Sequence, residues 1–378
     1  MRYRGPLALA ALTLTTALAG CGGSPSASGG DSADNEGAKL AAAAQKVYDK
    51  FNGMSGQERT DALVKAAEAE GALSIYTSNN DIEELVDAFE DAYDIDVSAY
   101  RANSETVLQR LMQEENAHFY GSDVLETNAS EMNIVNQEGM LYPYESEYRE
   151  AVRPEGLKEN WTANRFNAFV VGWNTNLVKP GEEPKSYEDL ADPRWKGKLA
   201  MEIADVDWYS ALTTHWLEQG KTQEEVDELF KAIAANAKLT KGHTATTELL
   251  AAGQFHVFVS PYSSNIDDAA QNGAPVSWMP ADGDPVQPIA VRANGVGLMK
   301  HAAHPAAAVL FTDFALTDGQ AVLEEVKRIP SVPGGFDPLK GLELIEVPEK
   351  DLLENSDAWN KRYEEVTNSA QGTVETDG

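Results

Sequence analysis

A strand, a polar turn and an amphipathic helix follow one another at residues 73–89, and this unit constrains the fold more than any other stretch of the chain. Leu73, Ile75 and Tyr76 are apolar and β-prone, which indicates a short buried strand. Residues 77–81 are small and polar, and apolar residues then recur at helical spacing. The sequence therefore predicts a strand that opens through a polar turn into a helix N-terminus, where unpaired N–H groups favour anions and polar oxygens.

The same unit recurs downstream. Strands are predicted at residues 95–100 and 123–126, each is followed by a helix, and the second ends in another polar turn at 127–130. Such alternation is the pattern of an α/β fold with a doubly wound sheet. Ligands of these sheets bind at the carboxyl ends of the strands, so two polar turns at one edge predict part of a small-molecule site. The alternative is that each turn merely caps an ordinary helix.

The whole chain of 378 residues is long enough for two domains, and its second half continues this pattern. Polar turns lie at residues 205–209, 243–247 and 262–263, and they bring the number of candidate ligand-binding turns to five. Strands are predicted at 166–173, 199–203, 255–260, 276–279 and 295–300.

The charge balance is strongly acidic, with 61 Asp and Glu against 30 Lys and Arg and a formal net charge of −31. Such a chain would be repelled by a phosphate backbone, and nucleic acid is therefore not expected as a partner. The charge is compatible with a cationic ligand, although a solvated acidic surface explains it more simply.

The N-terminus has the features of a bacterial lipoprotein signal. Arg2 and Arg4 precede an apolar run at residues 7–18, which is too short to span a bilayer and ends at Leu-Ala-Gly-Cys21. This arrangement resembles the lipobox, in which the cysteine is lipidated and becomes the mature N-terminus. Cys21 is the one cysteine of the sequence, so no disulfide or catalytic thiol is expected.

Several fragments occur in an order typical of one protein family, and DPRWKGK and HPAAA are the most specific of them. They resemble the substrate-binding proteins of bacterial ABC importers, in the branch that binds ferric ion, thiamine, polyamines and phosphonates. The resemblance extends over roughly residues 61–333, and the fragments lie at 66–76, 171–175, 186–198, 252–254, 304–309 and 318–320.

The resemblance implies a two-lobe periplasmic-binding-protein (Venus-flytrap) α/β fold with a hinge of extended segments. It places the crossings between lobes near residues 164–173 and 278–293. The protein is expected to be a monomer without a cofactor, anchored by lipid alone to the outer face of the cytoplasmic membrane. Its two lobes are expected to close on a small solute and to deliver it to the permease of the importer. The implied divisions are a signal peptide at 1–20, a flexible tether at 21–37, N-terminal helices at 38–70, lobe 1 at 71–165, lobe 2 at 166–280, and a return to lobe 1 with C-terminal helices at 281–378.

The five polar turns supply the predicted ligand-binding residues. Hydroxyl and N–H groups suit an oxyanion, whereas Asp205 and Asp207 suit an ammonium group, with Trp208 and Tyr209 as stacking faces. The alternatives for these four are helix caps and core aromatics. The complete set is Ser78, Asn79, Asn80, Thr127, Asn128, Asp205, Asp207, Trp208, Tyr209, His243, Thr244, Thr246, Thr247, Tyr262 and Ser263.

Ferric iron is the alternative ligand. Ferric binders of this branch typically use an adjacent tyrosine pair, because Fe(III) prefers anionic oxygen ligands, and this sequence has no such pair. The residues that offer a partial oxygen shell are Glu126, Asp205, Tyr209 and Tyr262. An organic or oxyanionic solute is therefore expected rather than a metal.

Two further functions are weighed and set aside. His301 and His304 have metal-like spacing, but Pro305 starts a helix directly after them, which favours a structural role. An enzyme is not expected, because the sequence lacks a G-x-S-x-G elbow, an H-E-x-x-H motif and a phosphate-binding P-loop. A surface hydrolase that uses Asp205 and Asp207 is the remaining enzymatic alternative.

Overall fold

The computed structural model describes residues 30–334 and 337–375. The predicted signal peptide and the lipidation site Cys21 lie outside these residues. The first helix begins at Gly30, so residues 30–37 of the predicted flexible tether are helical.

The described chain contains helices and strands in alternation. The α-helices, α1 to α14 in chain order, are Gly30–Asn52, Gly56–Glu70, Ile82–Ala92, Ser104–Asn116, Ala129–Gln137, Tyr187–Leu190, Val206–Glu218, Gln223–Asn236, His243–Ala251, Ser263–Gln271, Pro305–Ala315, Asp318–Glu325, Glu349–Glu354 and Ser356–Thr367. The strands, β1 to β13, are Ala72–Thr77, Asp96–Arg101, Val124–Asn128, Leu141–Tyr142, Thr162–Phe169, Gly172–Asn174, Leu199–Glu202, Ala237–Thr240, Val257–Phe258, Val276–Ser277, Ile289–Met299, Ile329–Pro330 and Leu344–Glu346. Short 3-10 helices span Glu147–Ala151, Pro154–Gly156 and Pro193–Trp195.

The first lobe is built on an eight-stranded mixed sheet with the order β12-β5-β11-β3-β1-β2, and β4 and β13 also pair with β11. β1 runs parallel to β2 and β3, as the predicted β-α-β units require. Apolar side chains such as Leu63, Phe89 and Phe311 pack from the helices onto this sheet. The polar turns after β1 and β3 therefore lie side by side at one sheet edge.

The second lobe is built on a five-stranded sheet with the order β10-β6-β9-β7-β8. β7 runs parallel to β8 and β9, whereas β6 is antiparallel to β9 and β10. Leu199, Trp208 and Phe230 belong to the apolar core that joins α7 and α8 to this sheet. Because β7 and β8 are parallel, the turns that follow them lie at the same edge of this sheet, where α7 and α9 begin.

The chain crosses between the lobes in extended segments. β5 ends at Phe169 in the first sheet, and β6 starts at Gly172 in the second. The return lies between Ser277 at the end of β10 and Ile289 at the start of β11. The apolar stretch 166–173, predicted as one strand, thus serves two strands of different sheets.

β11 is longer than the predicted strand at 295–300 and begins at Ile289. Its first half carries Arg292 and Asn294, which are buried. These polar side chains interrupt the apolar pattern from which strands are predicted, so this half was missed.

Residues 281–378 were expected to contain a return to the first lobe and C-terminal helices, and the last of these helices lies on the second lobe. α12 packs against α3 of the first lobe, but α14 packs against α7 and α8, and Thr373 pairs with Leu239 at the edge of β8. Trp359 and Tyr363 of α14 complete the apolar core of the second lobe, which accounts for this placement.

Across the described ranges, no single helix is both long and apolar enough to cross a membrane, and α11 and α12 meet that test only as a pair bent by 56°. α11 is buried along its whole length in the core of the first lobe.

Candidate functional site

A cleft with a cavity volume of about 1550 Å³ lies between the lobes. The turn after β1 and the start of α4 and α5 line it from the first lobe, and the start of α7, α9 and α10 lines it from the second. The N-termini of five helices therefore face one space, and their unpaired N–H groups favour a negatively charged or strongly polar ligand.

Nine of the predicted ligand residues line this cleft. They come from all five polar turns, and two of these turns contribute one residue each, Asn128 and Tyr262. The nine are Ser78, Asn79, Asn80, Asn128, Asp205, Asp207, His243, Thr244 and Tyr262.

The turn after β1 is held by a buried carboxylate in β3. Glu126 is 0% exposed and accepts hydrogen bonds from Thr77 Oγ1 at 2.8 Å, Asn164 Nδ2 at 2.7 Å and Arg165 Nη1 at 2.7 Å. Because its oxygens are engaged by the protein itself, Glu126 is not available as the iron ligand that the sequence suggested. It instead orients Arg165, which lines the cleft.

Arginines line the cleft from several directions, and sequence reasoning missed all of them. Arg292 of β11 is only 7% exposed, yet its Nη1 lies 2.5 Å from Asp207 Oδ2 and its Nη2 lies 2.5 Å from Tyr262 Oη. Its Nε has no hydrogen-bond partner among the described residues. The available signal was a charged residue, Arg292, between apolar residues of a strand. The arginines are Arg101, Arg165, Arg292 and Arg328.

An acidic and aromatic group forms the wall of the second lobe. The His243 ring stacks on the Tyr262 ring, with centroids 3.9 Å apart, and His243 Nε2 lies 3.1 Å from Asp205 Oδ1. Glu202 Oε1 accepts a hydrogen bond from the Gly242 N–H at 3.2 Å. Burial, followed by the nearby Asp205 carboxylate, raises the pKa of Glu202.

Two carboxylate oxygens of this wall, Glu202 Oε2 and Asp205 Oδ2, have no hydrogen-bond partner within the described chain. Both residues are buried and line the cleft. A buried polar atom without a partner is costly, so these oxygens are suited to receive a donor from a bound molecule.

The aromatic residues predicted as stacking faces belong to the core, and that prediction is wrong. Trp208 is fully buried with its ring centroid 5.3 Å from that of Phe230, and Tyr209 is fully buried with its centroid 5.9 Å from that of Trp359. An α-helix turns by about 100° per residue, so these side chains leave α7 on a different face from Asp207.

The remaining predicted residues lie beneath the cleft surface and support it. Thr127 Oγ1 lies 3.0 Å from Ser78 Oγ, and Thr246 Oγ1 donates a hydrogen bond to the Gly242 carbonyl at 2.8 Å. Thr247 and Ser263 are buried in α9 and at the start of α10.

The histidines with metal-like spacing have structural surroundings. His304 precedes α11 and its Nδ1 lies 2.9 Å from Asp123 Oδ2, while the His301 ring stacks on Tyr120 with centroids 4.0 Å apart. Within residues 30–334 and 337–375, no group of three or more His, Cys, Asp or Glu side chains is arranged to hold a metal ion.

Comparison with known proteins agrees with the fold. Residues 123–350 match the model of a family described as bacterial extracellular solute-binding protein. Iron uptake protein A1 of Synechocystis sp. is 26% identical over 270 residues, which cover 67% of this chain and 73% of that protein.

Two solved structures have the same fold. Iron-bound HitA from Pseudomonas aeruginosa aligns with a TM-score of 0.65 and 19% identity, covering 78% of this chain and 99% of HitA. AfuA from Actinobacillus pleuropneumoniae, with fructose-6-phosphate bound, aligns with a TM-score of 0.66 and 21% identity over 79% of this chain and 99% of AfuA. The chain therefore belongs to the bacterial extracellular solute-binding proteins, the solute-capturing components of ABC importers.

Proposed function

We propose that this solute-binding protein captures a small organic solute that carries an anionic group. The observation that carries the proposal is Arg292, a buried guanidinium in the cleft with a free Nε. Guanidinium groups bind carboxylates and phosphates through paired N–H donors. The helix N-termini around the cleft act in the same direction, since their dipoles favour negative charge.

The wall formed by Glu202, Asp205 and His243 supports an organic solute rather than a bare anion. Its two unpartnered carboxylate oxygens require hydrogen-bond donors, which hydroxyl or ammonium groups of a solute supply. A sugar phosphate combines both features, and AfuA was solved with fructose-6-phosphate bound.

A titration with matched probes tests this proposal. Fructose 6-phosphate is expected to raise the melting temperature of the protein, whereas fructose at the same concentration is expected to have little effect. Arg292→Lys is expected to weaken binding at least about tenfold, because lysine cannot replace the free Nε donor of the guanidinium. Arg153→Lys, at a partly exposed pair with Asp337, is the matched control.

Preference for uncharged sugars over their phosphates would contradict the proposal.

Asp205→Ala and Tyr262→Ala are each expected to weaken binding without unfolding the protein. Calorimetric titration measures the affinity of each variant. Since the family captures solutes, we also expect the bound compound to be recovered chemically unchanged.

Ferric iron is the second candidate, because Iron uptake protein A1 and iron-bound HitA are among the similar proteins. Tyr262 and His243 lie together in the cleft and supply oxygen and nitrogen atoms. Against iron, burial raises the pKa of Tyr262 and the contact with Arg292 only partly opposes this effect, so the phenolate that Fe(III) requires is disfavoured.

Ferric citrate separates the two candidates. We expect no visible tyrosinate charge-transfer band on its addition to the purified protein. A band that appears in the wild type and disappears in Tyr262→Phe would establish iron as the ligand and displace the organic solute.

We further propose that the protein is a monomer tethered to the outer face of the cytoplasmic membrane through lipidated Cys21. The support is the lipobox pattern of the N-terminal sequence. Cys21→Ser is expected to release the protein into the medium, as measured by fractionation. Membrane retention of this variant would contradict the anchor.

A further inference from the structure

The Asp207 carboxylate occupies a place that resembles an anion site. Its Oδ2 lies 2.5 Å from Arg292 Nη1, and Ser130 Oγ lies 3.3 Å and 3.5 Å from its two oxygens. Asp207 and Ser130 are each the second residue of a helix, α7 and α5. An arginine and a hydroxyl beside two helix N-termini are surroundings in which proteins bind free oxyanions.

Arg292 is not free to receive a solute while this contact persists. Nη1 is engaged by Asp207 and Nη2 by Tyr262, so Nε alone is open. The Asp207 carboxylate also cancels the charge of the guanidinium. A second anion placed beside Arg292 would therefore meet repulsion from Asp207 in a site that is largely shielded from water.

The Asp207–Arg292 pair joins the two lobes. Asp207 belongs to α7 of the second lobe, whereas Arg292 belongs to β11 of the first sheet. Any opening of the cleft that moves α7 away from β11 separates the pair and exposes Arg292 to an entering solute.

We propose that Asp207 is an internal counter-ion that occupies the anion position in the solute-free cleft, and that an anionic solute must displace it. The inference rests on the proposed function, that the solute is anionic. Asp207 thereby sets the affinity of the site, because each solute must bind Arg292 more strongly than the carboxylate it replaces.

A permanent tie between the lobes is the competing role for the same contact. If the pair were needed to keep the cleft closed around the solute, loss of the Asp207 charge would weaken solute binding. If Asp207 competes with the solute, loss of the charge strengthens it. The two roles therefore predict opposite signs for one measurement.

The experiment is calorimetric titration of full-length wild type, Asp207→Asn and Asp207→Glu with inorganic phosphate and with fructose 6-phosphate. Asp207→Asn is expected to bind at least one of these anions about tenfold or more tightly than the wild type, while Asp207→Glu, which keeps the charge, is expected to show no gain. Asp337→Asn, which removes the carboxylate that lies 3.2 Å from Arg153, is the control for a general loss of negative charge. Melting temperatures establish that each variant is folded.

Unchanged or weaker anion binding by Asp207→Asn would overturn the inference. If the wild type binds these anions and Asp207→Asn shows no gain, the proposed anionic solute stands and the counter-ion role alone is lost. If neither protein binds either anion, the proposed function and the inference both fall.

Discussion

At the scale of single residues, a buried side chain that does not line the cleft holds cleft residues in place. Glu126 touches no cleft surface, yet it accepts hydrogen bonds from Thr77, Asn164 and Arg165 and so holds both a polar turn and an arginine in place. The folded state accommodates the buried Glu126 carboxylate only because these donors are present, since a buried charge without a partner raises the free energy of the folded state.

Replacement of Glu126 by Gln is therefore expected to lower the free energy of unfolding by roughly 3–5 kcal/mol, since Arg165 is left as an unpaired buried charge. Urea denaturation measures the loss. Glu188→Gln, at the half-exposed Lys221–Glu188 pair, is expected to cost less than about 1 kcal/mol. A Glu126→Gln loss no larger than that of Glu188→Gln would show that Glu126 does not organise the lobe.

At the scale of one element, α7 divides its residues between two tasks. Its N-terminal end presents Asp205 and Asp207 to the cleft, and the following residues, Trp208 and Tyr209, pack in the core of the second lobe. The packing of Trp208 and Tyr209 in the core therefore fixes the position of α7 and, with it, the positions of the two carboxylates.

Trp208→Ala is expected to lower the free energy of unfolding by about 3–5 kcal/mol, because a large buried side chain is replaced by a cavity. The folded fraction is expected to keep the solute affinity of the wild type, since Trp208 is buried in the core and does not line the cleft. Denaturation and calorimetry on the same preparation separate the two effects. A loss of affinity with unchanged stability would return Trp208 to the ligand site.

At the scale of the whole molecule, direct contacts tie the lobes together around the cleft. Arg328, which precedes β12 of the first lobe, contacts Asp81 and lies 3.2 Å from Asp268 of α10. Asn80 Nδ2 donates to Thr244 Oγ1 at 3.2 Å. Burial raises the pKa of Asp268 to about 6, and the attraction of Arg328 only partly opposes this effect.

Stability is expected to depend on pH through Asp268. Because the pKa of its folded state lies above the unfolded value, the native state holds this proton more firmly, and the resulting stability is present below about pH 4 and lost as pH rises through about 6. The difference in melting temperature between Asp268→Asn and wild type should thus shift in favour of the variant from pH 4 to pH 8.

Thermal unfolding at several pH values across this range measures the difference, and other titrating groups cancel because both proteins share them. Asp337→Asn, at a partly exposed pair, serves as the comparison. A constant offset between Asp268→Asn and wild type over the whole range would contradict the assignment of the raised pKa to Asp268.

The sequence was sufficient for the local units. Apolar periodicity and cap residues identified β1, β2 and β3 and the helices after them, because both signals depend on neighbours a few residues apart. The polar turns at Ser78 and Asp205 were located for the same reason. The motifs that resemble ABC-importer proteins led to the two-lobe fold, which the family match confirms.

The tertiary structure alone decided which polar residues meet. Arg165, Arg292 and Arg328 come from β5, β11 and the residue before β12, which are distant in sequence but adjacent in the sheet order β12-β5-β11. Because an α-helix turns by about 100° per residue, Trp208 points into the core and Asp207 into the cleft, although they are neighbours in the chain. The sequence by itself determined where strands, turns and helices begin, because those follow from short-range spacing. Strand pairing in the first sheet and the packing of the two lobes determined the charge of the cleft, because they bring arginines and carboxylates from separate segments into contact.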